Sequence, residues 1–415
     1  MSQGPAYAGR LEDGAVPLGQ PEAQRRVQEA PRPQAGRLGA SRHALRGLLK
    51  RQLTRNYLLG SQMLARYLVS SQAERSFRRV CVVAALQRAN GITEGARLQF
   101  EALRQIGVEA ELIDASPALR NPLARIAHQP GSAYVFHSGG PQTANLILGC
   151  LRGAAKAWRI GYWAWELPDP PDDWQDPRGL IHEIWTPSGF ARDSLRRRFT
   201  LPIHVVPHHL PVPAMPETSG GTPGPDRPFT VLAMADSRSS YERKNPIAAV
   251  KAFRAAFADS NRANLVVKLN GRAEEMEALC REIGKAPNIE VVQAYLDQDR
   301  LQALYRSADA FLSLHRAEGF GLPMAEAMMQ GLPVVATGWS GNLEFMDASN
   351  SILVPYELVP VADGAGVYGA GSHWAEPRIE AAAQALRRLA DDPAYRAAMA
   401  AAARRSSLAR RFGLP

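Results

Sequence analysis

Two carboxylates stand eight positions apart in Glu318-Gly319-Phe320-Gly321-Leu322-Pro323-Met324-Ala325-Glu326. An apolar run at 310–314 precedes them and reads as a buried strand. A small-residue segment at 325–330 follows and reads as a helix stopped by Gly331. Pro323 suits a first helical turn, where a missing N–H costs nothing. Gly319 and Gly321 let backbone N–H groups approach a ligand at the positive end of the helix dipole. A helix start that tolerates an anion, flanked by two acceptors for hydroxyls, matches a diphosphate, a ribose and a hexose together. The alternative is a plain strand–loop–helix turn with solvated glutamates. The close glycines, the proline and the apolar Phe320 weigh against it.

Such a loop needs cations nearby. Asp236-Ser237-Arg238-Ser239-Ser240-Tyr241-Glu242-Arg243-Lys244-Asn245-Pro246 lies between an expected strand and helix. Adjacent Arg243 and Lys244 there can neutralise a diphosphate before and after its bond to the sugar breaks. Surface charge pairs are common, so it is the place at a strand's carboxyl end that singles this one out. Lys268, ending 265–268, is either a third cation or a solvated strand-end lysine.

Other residues of interest also sit at strand ends. His137, before Ser138-Gly139-Gly140, is a candidate for substrate contact, with a structural hydrogen bond as the alternative. His315-Arg316 precedes the glutamate loop and can reach the same anion. His208-His209 sits next to an expected linker, and packing is the favoured role. In Gly161-Tyr162-Trp163-Ala164-Trp165-Glu166, the tryptophans alternate on one face of an expected strand and read first as core. Glu166 is a candidate base or hydroxyl clamp on the acceptor side. Asp169, Asp172 and Asp173 lie in a proline-rich setting without clustered histidine, which argues against a metal site.

The elements that position these residues alternate regularly. Strands are expected at 79–85, 108–113, 133–137, 160–165, 183–186 and 204–206, with a helix at 96–106. Residues 211–228 are dense in Pro, Gly, Ser and Thr and read as a linker. A second series has strands at 229–234, 265–269, 289–293, 310–314, 333–336 and 351–354. Its helices are expected at 246–257, 274–283, 297–307, 324–330 and from 378 to about 411. The fold class is therefore α/β, with two doubly wound domains facing across a cleft. Parallel sheets bind ligands beyond their carboxyl strand ends, so Gly91, His137 and Trp165-Glu166 point towards that cleft.

Charge is distributed unevenly. Residues 1–79 carry 14 Lys/Arg against 5 Asp/Glu, so the whole excess of +9 lies there and the rest of the chain is balanced. A nucleic-acid face across the folded body is therefore not expected. Residues 1–40 are rich in Pro, Gly, Gln and Arg and read as disordered. Residues 41–78 read as a basic amphipathic helical extension, docked on the body or, through 41–72, lying on an anionic membrane. The three cysteines show no paired spacing and fit a reducing compartment. The start of the chain lacks a secretory pattern, and no run of 18 apolar residues occurs. The expected location is cytoplasmic, with peripheral contact at the inner face of the plasma membrane.

At these residues the chain resembles the retaining nucleotide-sugar glycosyltransferases of family 4, which have the GT-B fold. The resemblance rests on the Glu-x7-Glu element at Glu318 and Glu326 with the intervening Gly-Phe-Gly-Leu. It rests also on Glu242-Arg243-Lys244-Asn245-Pro246, on 162–168, on Trp185-Thr186-Pro187-Ser188 and on Val206-Pro207-His208. It covers roughly 79–400. The resemblance implies an acceptor domain at 79–210, a donor domain at 229–400 and a tail at 401–415, with two Rossmann-like domains. It implies that Glu326 binds ribose, and that Glu318 contacts the transferred sugar with backbone N–H groups of Phe320, Gly321 and Leu322. Arg243 and Lys244 would hold the diphosphate, and Gly91 would let the first domain approach the donor. Many members carry a Gly-Arg directly after the strand. Its absence here leaves Arg238 and Arg243 as rivals, with Arg243 favoured.

The implied chemistry is hexose transfer with retention, without metal or cofactor, from a nucleotide-diphosphate sugar to a glycan or lipid-linked acceptor in polysaccharide biosynthesis. The alternatives are a GT-B epimerase and a non-catalytic scaffold.

Overall fold

Apolar runs of four to six residues suit parallel strands buried on both faces. The computed structural model describes residues 37–73, 76–88, 90–121, 124–126, 129–211, 227–236, 239–258, 260–361, 368 and 371–409. Both large sheets lie in one compact unit, residues 54–415.

The first sheet holds β1 (Arg79–Ala84), β2 (Glu109–Asp114), β3 (Ser132–His137), β4 (Arg159–Tyr162), β5 (Glu183–Thr186) and β6 (Ile203–Val205). Their order is β2-β1-β3-β4-β5-β6, and every neighbouring pair is parallel. The second sheet holds β7 (Phe229–Asp236), β8 (Ala263–Asn270), β9 (Ile289–Val292), β10 (Ala310–Ser313), β11 (Val334–Thr337) and β12 (Ile352–Val354). Its order is β12-β11-β10-β7-β8-β9, again all parallel. Strand order reverses between β1 and β3 in one sheet and between β7 and β10 in the other. At such reversals the crossover connections leave on opposite faces, and a crevice opens beyond the strand ends. The loops after β7 and β10 carry Arg243, Lys244 and Glu318.

Helix α1 runs Arg37–Leu68, so it starts within the stretch expected to be disordered; residues 1–36 lie outside the described residues. The expected linker lies largely outside them too. In the first half, α2 (Gly91–Gln105), α3 (Ser116–Arg120), α4 (Thr143–Gly149), α5 (Leu151–Ala154) and α6 (Gly189–Arg196) accompany the sheet. Asn90 caps α2 by accepting the Thr93 N–H at 3.0 Å. In the second half come α7 (Tyr241–Lys244), α8 (Pro246–Phe257), α9 (Ala273–Ile283), α10 (Gln298–Arg306), α11 (Leu322–Met329), α12 (Ile379–Asp391) and α13 (Pro393–Ala409).

Three expectations change. The long C-terminal helix is two helices. Pro393 forces Asp392 into an extended conformation, and the Asp392 side chain then caps the next helix at Tyr395 N–H. The tryptophans are not on a strand, because β4 ends at Tyr162. Trp163 and Trp165 are nevertheless buried, each meeting Trp174 edge to face. A fully buried Trp such as Trp163 contributes about 5 kcal/mol of transfer free energy. Last, an unexpected antiparallel pair, β13 (Tyr356–Pro360) and β14 (His373–Pro377), follows β12. The apolar cluster around Tyr134, Phe136 and Trp163 continues without a break into Trp339, Tyr368 and Trp374. The two α/β halves are therefore closed on one another.

Candidate active site

Helix α7 ends at Lys244 because the proline ring at 246 disfavours helical geometry for Asn245. Asn245 takes a left-handed conformation (φ 50°, ψ 51°), which asparagine tolerates. At the other end, Ser240 Oγ accepts the Arg243 N–H at 3.2 Å, with Ser240 itself at φ 134°. Arg316 fixes the same turn from below: its N–H donates to Arg243 C=O at 2.7 Å and its Nη1 to Glu242 C=O at 2.6 Å.

The facing loop follows β10. Glu318 N–H donates to Ser340 Oγ at 2.8 Å, and Glu318 C=O accepts the Gly341 N–H at 2.8 Å. Position 341 has to be glycine, because an added Cβ would lie 2.2 Å from the Gly319 carbonyl oxygen. Gly321, at φ 101°, turns the chain into α11. Phe320 packs onto Phe345 (4.9 Å between rings) and meets His208 edge-on (5.0 Å), so its ring is buried between the two halves. Among the described residues, four non-glycine residues have positive φ, and three of them, Ser240, Asn245 and Ser340, frame these two loops. Strain of this kind persists only where surrounding contacts over-determine it, as at functional sites.

The two loops meet in one buried ion network. Glu318 pairs with Lys244 through Oε1 and with Arg243 Nη1 through Oε2 at 3.2 Å. Arg243 also donates to Ala317 C=O at 2.6 Å and reaches Glu166 of the first half at 3.5 Å. Tyr368 completes the enclosure: its hydroxyl donates to Glu166 at 3.3 Å and its ring lies 5.9 Å from the guanidinium. Burial alone would raise the Glu318 carboxyl, but Lys244 and Arg243 outweigh it and bring it down to about 2. Burial likewise opposes the charge on Arg243, and Tyr368, Glu166 and Glu318 more than restore it. The Arg243 side chain is only 2% exposed, whereas that of Lys244 is 15% exposed. Lys244 is therefore the cation of the pair that a ligand can reach.

Glu326 lies one turn into α11, half-buried, and accepts a 2.6 Å hydrogen bond from Tyr305 of α10. Burial raises its carboxyl to about 7; Tyr305 and Lys268 work against that shift and Glu94 of α2 adds to it. The Lys268 amine lies 2.9 Å from the Asn270 side-chain amide. Gly91 opens α2 across from Leu322, whose Cδ1 would be 3.9 Å from a Cβ there. Gly319 comes as close to the first half, at 3.5 Å from Trp165 C=O by the same measure.

The histidines are enclosed. His137 stacks on Tyr162 (4.2 Å between rings) and bonds Gln99 at 2.5 Å, while its Nδ1 has no hydrogen-bond partner among the described residues. Burial holds it well below the usual imidazole range. His315 is 0% exposed; Ser313 bonds its Nδ1, and Trp339 C=O and Asn342 Oδ1 bond its Nε2. His315 thus braces the loop from inside. Arg238 lies outside the described residues. Asp169 and Asp172 pair with Arg197 (3.1 Å) and Arg198 (3.2 Å), and no three potential metal ligands cluster among the described residues.

A family model described as "Family 4 Glycosyltransferase in conflict systems" matches residues 191–413. The chain belongs to this family. The match takes in Lys244, Glu318 and Glu326 of this family 4 glycosyltransferase. Among curated proteins none matches it. Solved structures extend the likeness to the first half and show the GT-B fold. Sucrose-phosphate synthase from Thermosynechococcus elongatus is similar at 15% identity and TM-score 0.57, over 81% of this chain and 95% of that one. Anabaena HepE in complex with UDP and glucose is similar at 14% and 0.53, over 81% and 96%. TarM is similar at 14% and 0.51, and the match takes in 68% of this chain but only 52% of TarM.

Sequence reasoning missed Ser340, Gly341, Tyr305 and Tyr368, and the two tyrosines carry no local signal that would have found them. Each reaches the site through tertiary contact. The Ser340-Gly341 pair after β11 is a turn signal at a strand's carboxyl end, and that is the one hint the sequence held.

Proposed function

We propose that the protein transfers a hexose from a nucleotide-diphosphate sugar to a glycan or lipid-linked acceptor, with retention at the anomeric carbon and without a metal. The observation that carries this is Glu318, held ionised by Lys244 and Arg243 beside the N-terminus of α11. Donor binding would exchange Glu318 for diphosphate at Lys244 and free the carboxylate for the sugar hydroxyls. Arg243, too enclosed for direct contact, would anchor Glu318 during that exchange. The bond from the anomeric carbon to the phosphate oxygen would break while the acceptor oxygen bonds the same face. The acceptor proton would pass to the departing phosphate, and the nucleoside diphosphate would leave. Lys244 and the backbone N–H groups of 320–322 would meet the charge that develops.

Donor turnover in wild type and Glu326→Ala tests this, because Glu326 would hold the ribose. Full activity in the variant would sink the site assignment. Conversion of donor with acceptor omitted would instead identify an epimerase. If no UDP-, GDP- or ADP-sugar raises the melting temperature, a non-catalytic scaffold gains.

Glu326 also gives a pH prediction. Ribose hydroxyls donating to a carboxylate favour its ionised form, so a group raised to about 7 releases a proton when the donor binds. Donor affinity should be about tenfold tighter at pH 8 than at pH 6. Titration calorimetry in buffers of different ionisation enthalpy reads the proton directly. Proton uptake, or none, would contradict the ribose role. In the free protein the sign is opposite: stability present below the carboxyl's ordinary value is lost as pH rises through about 7.

We further propose a cytoplasmic protein in peripheral contact with an anionic membrane through α1. Ser61, Gln62 and Ala65 of that helix are buried, while Tyr57, Met63, Leu64, Tyr67 and Leu68 are exposed. Large apolar side chains facing out beside a basic segment favour a surface that is both apolar and anionic. Among the described residues no helix is long and apolar enough to cross a membrane. Deleting residues 1–75 should abolish pelleting with phosphatidylserine vesicles, and salt should weaken it in the full chain. Pelleting unaffected by the deletion would rule the idea out.

The family's description favours a second reading of the acceptor: a component of a rival system rather than a growing polysaccharide. Transfer of labelled sugar to protein or nucleic acid, and not to glycan, would support it.

A further inference from the structure

Helix α6 belongs to the first half of the molecule, yet its first residues are bonded to the second. Ser188 Oγ accepts the Ala191 N–H at 3.2 Å, as a helix cap does, and donates to Gly319 C=O at 2.7 Å. Ser188 is 0% exposed. The next residue, Gly189, donates its N–H to Glu344 Oε2 at 2.7 Å, and the Phe190 ring meets Trp339 edge-on at 5.1 Å.

The Gly319 carbonyl shares a planar trans peptide unit with the Phe320 N–H, so the two groups point in opposite directions. Fixing the oxygen aims the N–H. The preceding unit is held from within the second half, by the Gly341 N–H on Glu318 C=O at 2.8 Å. One peptide plane of the glutamate loop is thus set by its own domain and the next by the other domain. We infer that Ser188 is a positioning residue: through the Gly319 carbonyl it makes the aim of the Phe320 N–H depend on the two halves being closed. The inference rests on the reading of 318–322 as the sugar-contacting loop. The serine itself touches neither substrate nor reacting atoms.

The cap and the donor can be separated. Glycine is nearly as good a helix cap as serine but has no hydroxyl, and threonine keeps both functions. Ser188→Gly should lower kcat for donor turnover about tenfold, the loss of one well-aimed hydrogen bond, with KM within about twofold. Ser188→Thr should restore kcat. In donor-free protein, amide hydrogen exchange across 316–322 should be faster in Ser188→Gly and normal in Ser188→Thr. Ser188→Ala serves the same comparison should the glycine variant not fold. Exchange unchanged from wild type overturns the inference whatever the turnover, and so does faster exchange with unchanged kcat. Faster exchange in a protein whose wild type turns over no nucleotide-sugar upholds the coupling between the halves and overturns the transferase reading instead.

Discussion

Lys244→Ala is expected to lower nucleoside-diphosphate release from a nucleotide-sugar by about 10²–10³-fold, the usual cost of removing one preorganised group that meets developing charge. The magnitude follows from exposure. Of the two cations on Glu318, Arg243 is walled in by Glu166, Tyr368 and Ala317, and only Lys244 opens to the cleft. Losing the lysine also removes the largest of the influences that keep the Glu318 carboxyl low. The carboxylate would then depend on Arg243 alone and would be a poorer acceptor for sugar hydroxyls. Lys244→Arg keeps the charge, but a guanidinium can grip Glu318 with two bonds and release it less readily to a diphosphate. Its turnover should fall between alanine and wild type. Because lysine and glutamate act as one unit, Lys244→Ala in a Glu318→Gln background should cost far less than it does alone. Steady-state kinetics of the three variants and the double variant check this. Wild-type turnover by Lys244→Ala, or strictly additive losses, would remove the ion pair from the mechanism.

What made this site legible in the sequence was local chemistry. Pro246 opens a helix just after the adjacent Arg243-Lys244 pair at a strand's carboxyl end, and Gly319-Phe320-Gly321-Leu322-Pro323 leads into another beside Glu318. Strands such as β3 and β10 were legible because burial on both faces leaves an unbroken apolar run. The burial of Arg243 was not legible, since Glu166 and Tyr368 come from distant parts of the chain and no spacing records their approach. The β13–β14 pair was missed for a similar reason. Its residues, Tyr-Glu-Leu-Val-Pro and His-Trp-Ala-Glu-Pro, alternate weakly. The pair is held by Arg316, which bonds Glu376 at 2.5 Å and lies 5.4 Å from the Trp374 ring. The break in the C-terminal helix was visible as Asp392-Pro393, but the alanine-rich flanks on both sides masked it. Local signals fixed where loops turn, and tertiary contacts decided which of their side chains stay reachable.

The largest effect on stability is expected far from the chemistry, at Arg159. It is 0% exposed and has no carboxylate partner among the described residues. Its guanidinium is satisfied by carbonyls instead: Leu180 at 2.6 Å, Ala154 at 2.9 Å, Ala155 at 3.1 Å, Ala157 at 2.9 Å and Ser70 at 2.7 Å. Burial lowers it to about 10, so it stays charged at neutral pH. This one side chain closes the end of α5, holds the segment after α1 against the first sheet and sits on β4, whose continuation carries Trp163, Trp165 and Glu166. Arg159→Met keeps most of the volume but strands those acceptors, at an expected cost of about 3–5 kcal/mol. Arg159→Lys should recover little. A compact ammonium has three donors on one atom and cannot span carbonyls spread around a planar fork, and a buried lysine readily gives up its charge. Urea denaturation followed by tryptophan fluorescence measures both variants. A loss below about 1 kcal/mol for Met would mean that water replaces the guanidinium at these carbonyls. Because Glu166 is reached through β4, Arg159→Met should also weaken the hold of Glu166 on Arg243. At a temperature where the variant is still folded, its turnover should fall by less than that of Lys244→Ala.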